Sequence, residues 1–214
     1  MAEAHEMRQR HVWLVGEQNP YGADPEFALY PSPTGCAGWR LCHRVLRLDP
    51  DDYCARFVRV NLVEGPRWCV GLARDGARRV IKASGNQPLV LLGAKVADAF
   101  GFEYAPFTSV MAPVAQTCTC VGDCAAIACP EHGMASQWVP ARRCVIIPHP
   151  SGRSRGWTDP TARDRARDLI LQLDRECLEA EVADLEALIV QAPVEDRGGR
   201  GGLEHRCDEL RATM

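Results

Sequence analysis

Val12-Trp13-Leu14-Val15-Gly16-Glu17-Gln18-Asn19-Pro20-Tyr21-Gly22 and Val145-Ile146-Ile147-Pro148-His149-Pro150-Ser151-Gly152-Arg153-Ser154 are the two stretches that decide how this chain folds. Each opens on a continuous apolar run, the mark of a strand buried on both faces. Each then breaks into a polar loop bent by Gly and Pro. In an open α/β sheet, loops leaving the carboxyl ends of parallel strands line one crevice, and ligands bind there. Two such loops, far apart in sequence, can grip one small polar group from both sides.

Between them, Phe57–Val63 and Leu89–Leu92 read as two more strands, and the last runs over Cys144–Ile147. The intervening segments carry helical spacing. Trp39, Leu41, Val45 and Leu46 predict a helix after the Gly/Pro-rich stretch 31–38. Arg67–Ile81 predicts a second, and a third begins at Val96 just past Gly93. The alternation predicts a three-layer α/β/α fold around a central four-stranded parallel sheet. Thr158-Asp159-Pro160 is a helix-start signature. It opens a helical extension through Leu169, Ile170, Leu173 and Cys177, followed by a further helical stretch over Glu181–Gln191. Four glycines and four charged residues from Glu195 to Gly202 read as a flexible linker. The division is thus one domain over 1–194, with a Cys-rich insert at about 112–138, and a mobile tail over 195–214.

The chain of 214 residues is long enough for a proper core, and its 46% hydrophobic content is that of a globular protein. No run of apolar residues is long enough to span a bilayer, so no membrane partner is expected. The polar, partly acidic Met1–Glu6 segment argues against a secretory signal, and a cytoplasmic monomer is the expectation. A net charge of −3 supplies no global field for nucleic acid, so any such binding needs a local basic patch. Arg142, Arg143, Arg153, Arg155, Arg163 and Arg165 could form one; abundant arginine through genomic composition is the bland alternative.

Eleven cysteines are many, and their number is odd. A reducing compartment disfavours disulfides, which leaves metal ligation or buried thiols. Cys118, Cys120, Cys124, Cys129 and His132 place five ligand-type side chains in fifteen residues. A structural zinc could fold such a loop; a set of unrelated thiols is the other reading. Cys36, Cys42, Cys54 and Cys69 form a second, weaker grouping.

The two opening motifs resemble those of the uracil-DNA glycosylase superfamily. Gln18-Asn19-Pro20-Tyr21-Gly22 is similar to its first motif, G-Q-D-P-Y-H, with Asn before Pro as in the mismatch-specific and single-strand-selective branches. His149-Pro150-Ser151-Gly152-Arg153-Ser154 blends variants of its second, H-P-S-P-L-S, and Gly156-Trp157 stands where a Gly-aromatic pair is common. Gly35–Leu41, the strand Val58-Arg59-Val60-Asn61 and the junction Val90-Leu91-Leu92-Gly93-Ala94-Lys95-Val96-Ala97 match intervening family segments in order, over about 12–175. Two departures stand out. An extra residue lies between Gly16 and Gln18, and no cysteine precedes Cys36, unlike the iron–sulfur branches.

The resemblance implies a DNA glycosylase that flips out uracil or a modified pyrimidine and hydrolyses its bond to deoxyribose. No cofactor would be needed for catalysis. Asn19 would position the water, with Glu17 as the alternative and Asp24 a third carboxylate nearby. His149 would donate to the pyrimidine oxygen. Asn61 would read the base edge, since an amide offers donor and acceptor together. Gln18 and Tyr21 would line the pocket, and Phe27 or Tyr30 would stack on the base. Arg153 would fill the gap left by the flipped base. Ser151, Gly152, Ser154 and Arg155 would hold the strand, Ser151 through its hydroxyl and amide. Each has a plainer reading: a turn residue for Asn19, a strand-end amide for Asn61, a core aromatic for Phe27, a solvated loop side chain for Arg153. A non-cleaving reader of modified bases and a base-modifying enzyme with the same pocket are the alternative functions.

Overall fold

A computed structural model describes residues 12–18, 24–112, 142–151, 154–157, 159–191 and 197–214. It is an α/β structure built on a five-stranded, mostly parallel sheet. Strand β1 spans Val12–Gln18, β2 Phe57–Val63, β3 Leu89–Leu92, β4 Thr108–Ala112 and β5 Arg142–Ile147. Their order is β2-β1-β3-β5-β4, with β4 antiparallel to β5 and every other pairing parallel.

The central strands are near-continuous apolar runs because both of their faces are covered. Val12 and Leu14 of β1, Val90 and Leu92 of β3, and Val145 and Ile147 of β5 share one core cluster. Their partners there include Leu41, Val45, Leu46 and Tyr53 from the segment before β2, and Ala166, Ile170 and Leu173 from the long helix after β5. The alternate residues Val15, Leu89, Leu91, Cys144 and Ile146 join a second cluster with Ala73, Ala77, Val80, Val96 and Ala97. Those last five belong to α3 (Val70–Ser84) and α4 (Ala94–Ala99). The period of two along each strand thus sorts its side chains between two helical coverings.

Before β2, a single α-turn, α1 (Ala37–Trp39), runs into a π-helix over Arg40–Leu46 that ends on Arg47 in the left-handed conformation. Helix α2 (Pro50–Arg56) follows, capped by the Asp49 carboxylate, which accepts from the Asp51 amide. After β5, α5 runs unbroken over Ala162–Gln191. The carboxylate of Asp159 opens it by accepting from both the amide and the hydroxyl of Thr161 at 2.8 Å.

Two expectations are corrected here. The sheet has five strands, not four. The segment Thr108–Ala112 pairs with β5 at the sheet edge, where one-sided cover leaves Met111 exposed and no continuous apolar run is needed. The glycine-rich end is not a mobile tail within the described residues. Helix α6 (Arg197–Thr213) folds back on α5, and Cys207 and Leu210 bury themselves against Val182 and Leu185. Burial of that apolar stripe outweighs the poor helix propensity of its glycines.

Candidate functional site

The strand order reverses between β1 and β3. The chain leaves β1 to form β2 on one side, then returns to form β3 on the other. A crevice opens at the carboxyl ends of strands at such a switch point. Glu17 stands at the end of β1, Gly93 and Lys95 directly follow β3, and His149 follows β5.

These residues meet. Gly93 adopts φ +101°, which disfavours any side chain, and its amide donates to the carbonyl of Ile147 at 2.9 Å. A Cβ at Gly93 would stand 2.9 Å from His149 Cβ and 3.4 Å from Glu17 Oε1. The absence of a side chain here lets the β1 and β5 loops close on one another across β3. The Lys95 ammonium bonds the Glu17 carboxylate at 3.1 Å and lies over the Trp68 ring, 5.4 Å from its centroid. Glu17 is largely enclosed, with its side chain 18% exposed, while Lys95 is half exposed.

His149 is oriented from two directions. Its carbonyl accepts from the Trp157 indole at 2.8 Å, and its Nδ1 accepts from the backbone N–H of Ser151 at 3.2 Å. A nitrogen that accepts cannot carry the proton, so the neutral ring is protonated at Nε2 and presents that N–H as a donor. Burial lowers the imidazole below its ordinary pKa of 6.5. Glu17 pushes it back up and Lys95 pushes it further down. The resulting arrangement is an uncharged hydrogen-bond donor beside a carboxylate.

On the other side of β1, Asn61 of β2 pairs in register with Gly16. A Cβ at Gly16 would collide with Asn61 Oδ1 and crowd the Leu29 side chain at 3.2 Å. Gly16 therefore makes room for the amide at the end of the strands. Gln18 donates through Nε2 to the Pro66 carbonyl at 2.7 Å. Its Oε1 is buried and has no partner among the described residues. Phe27 and Tyr30 meet edge to face at 6.0 Å, and both are more than a third exposed. The Arg59 guanidinium backs Tyr30 at 5.4 Å from the ring centroid.

The residues expected to form the site thus divide. Glu17 and His149 are brought together; Gln18 and Asn61 stand at the same strand ends; Phe27 and Tyr30 form an exposed aromatic pair. Asn19, Tyr21, Gly152 and Arg153 lie outside the described residues, as do Cys118, Cys120, Cys124, Cys129 and His132. Among the described residues, no group of His, Cys, Asp or Glu is placed to hold a metal. The Ser151 amide is engaged by His149 Nδ1. Ser154 closes the turn by donating its amide to the Ser151 carbonyl at 3.2 Å, and Arg155 is exposed.

Arg142 and Arg143 do not belong to a basic patch. They begin β5, at the opposite end of the sheet from His149. Arg142 is 1% exposed and binds Ser84 Oγ and the carbonyls of Ile81 and Gly85, tying down the end of α3. Arg143 pairs with Glu176. Arg165 does lie on the site side, 4.7 Å over the ring of Phe107, which in turn meets Trp157 edge to face.

Residues that motif reading passed over are Lys95, Trp68, Gly16 and the contact role of Gly93. Nothing in the linear sequence marks Lys95, because its partner Glu17 lies 78 residues away.

No helix among the described residues is long and apolar enough to cross a membrane. Comparison of the chain with known protein families, with curated proteins and with solved structures finds no match.

Proposed function

We propose that this protein is a DNA glycosylase that removes uracil or a modified pyrimidine from DNA. The observation that carries the reading is the meeting of His149 and Glu17 across Gly93, with the His149 Nδ1 engaged by Ser151. The chemistry fits that arrangement. In hydrolysis the C1′–N1 bond breaks and its electron pair leaves with the base. The water oxygen bonds to C1′, and the water's proton ends on the departing base. The transition state carries positive charge on the sugar and negative charge on the pyrimidine, and catalysis is stabilisation of both. A neutral imidazole offering Nε2–H suits the developing anion at a pyrimidine oxygen. The Glu17 carboxylate suits the cationic sugar and the water. Asn19, two residues beyond it, is proposed to orient that water. Asn61 is proposed to read the base edge, the open Gln18 acceptor to take a base N–H, and Phe27 and Tyr30 to stack. Helical coverings on both sheet faces are in keeping with the three-layer architecture that the alternation of strands and helices predicts.

The proposed partner is DNA, bound by a cytoplasmic monomer, with Arg153, Ser154, Arg155 and the Ser151 hydroxyl on the strand. Phosphate contacts of this kind position a strand without reading its sequence. The test is incubation with oligonucleotides carrying uracil, hydroxymethyluracil, ethenocytosine or larger modified pyrimidines, followed by alkali to cut abasic sites. Strand cleavage dependent on His149 supports the glycosylase. Binding without release of base identifies a reader instead.

A further inference from the structure

We propose that Lys95 is a positioning residue of this site: held between the Trp68 ring and the Glu17 carboxylate, it fixes where that carboxylate stands against His149. The inference rests on the proposed function and extends it to a residue outside both motifs.

The geometry determines Lys95 twice. Its ammonium bonds Glu17 at 3.1 Å and lies 5.4 Å over the indole of Trp68. Trp68 is itself anchored, being packed against the core cluster beneath α3 and α4. Lys95 sits in the first turn of α4, two residues after Gly93, so its backbone is fixed by the same junction that brings His149 and Glu17 together. A carboxylate at the end of β1, 18% exposed, would otherwise be free to swing toward solvent or toward the imidazole. With the ammonium in place, one carboxylate oxygen is occupied and the other faces Gly93.

The two charges act on His149 in opposite directions. Among the described residues, the charged groups that bear on His149 are Glu17 from β1 and Lys95 from α4. Glu17 favours the imidazolium and Lys95 opposes it. An imidazolium would carry a proton on Nδ1, where it would face the Ser151 N–H donor-to-donor and break the bond that orients the ring. Lys95 therefore protects the geometry of the His149 loop through Glu17 and through its own charge.

The test is a titration of the His149 imidazole nitrogens by NMR in the full-length protein, in Lys95→Met and Lys95→Arg, alongside the pH profile of base release. The expected result is a His149 midpoint at higher pH in Lys95→Met, with the acid limb of the base-release profile moving the same way and Lys95→Arg restoring both. A His149 midpoint that is unmoved in a folded Lys95→Met overturns the inference. Trp68→Leu supplies an independent variant, with a smaller movement in the same direction expected and no movement counting against the proposal. Because the titration uses no DNA, it decides the role of Lys95 even if the unmodified protein releases no base, an outcome that overturns only the glycosylase reading.

Discussion

The Nδ1 of His149 accepts the Ser151 backbone N–H at 3.2 Å, so the motif that supplies the proposed electrophile also fixes its tautomer. The same short segment thereby orients a ring and chooses which of its nitrogens can donate.

This bond has a consequence for stability. The folded imidazole is held below 6.5 chiefly by burial. Well above pH 6.5 both folded and unfolded states carry it neutral. As pH falls through 6.5, the unfolded chain takes up a proton that the folded protein resists. Stability then declines until pH reaches the lowered folded value. Chemical denaturation between pH 7.5 and 5.5 should show a steeper loss in the unmodified protein than in His149→Gln, which removes the titration. Equal slopes would mean that His149 is not held neutral.

Gly93 sets the distance between two loops. Gly93→Ala forces a side chain into φ +101° and places a methyl 2.9 Å from His149 Cβ. The strained backbone alone should cost about 1–3 kcal/mol, measured as a lower urea midpoint. Because the methyl also crowds His149 beside Glu17, base release should fall further than the stability loss explains.

Gly16 probes the pocket from the other side. Gly16→Ala collides with Asn61 Oδ1 and crowds Leu29. Overpacking of this kind should cost about 1–3 kcal/mol. Oligonucleotide binding should weaken in parallel with Asn61→Ala, and combining the two should add little beyond either. Full additivity in a double-mutant cycle would separate Gly16 from Asn61.

Much of the fold was legible because buried parallel strands announce themselves. Phe57–Val63 and Leu89–Leu92 are strands over the ranges expected, and both motif strands are present with longer ends. The edge strand was hidden. Thr108–Ala112 mixes polar Thr and Ser with Val, Met and Ala and shows no continuous apolar run, and only pairing with β5 makes it a strand. Helix α2 was missed although Asp49-Pro50 is the same capping signature that marked the start of α5. The end of the chain misled by composition, since Cys207 and Leu210 become a core stripe only once α5 is there to receive them. At the site, Glu17 and His149 are singled out because the segments that carry them resemble the two family motifs and each comes after an apolar run. Lys95 is not, because its meeting with Glu17 requires β3 to lie next to β1.

The C-terminal hairpin is expected to be structural. Leu185 is fully buried between α5 and α6, away from the strand ends that carry the site. Leu185→Ala should destabilise by about 2–5 kcal/mol in urea while leaving the KM for an oligonucleotide unchanged at a temperature where the variant is folded. No change in stability would mean that α6 does not pack as described.

The most direct measurement of the central claim is release of free base from the panel of modified oligonucleotides by the unmodified protein, His149→Ala and Glu17→Gln, followed by chromatography of the base and alkaline cleavage of the strand. The expected result is release of one pyrimidine with an abasic site left behind, and a loss of about 100-fold or more in rate for His149→Ala, the scale of removing a single preorganised donor. Release at an undiminished rate by His149→Ala, or binding of every oligonucleotide with none of the bases set free, would contradict it.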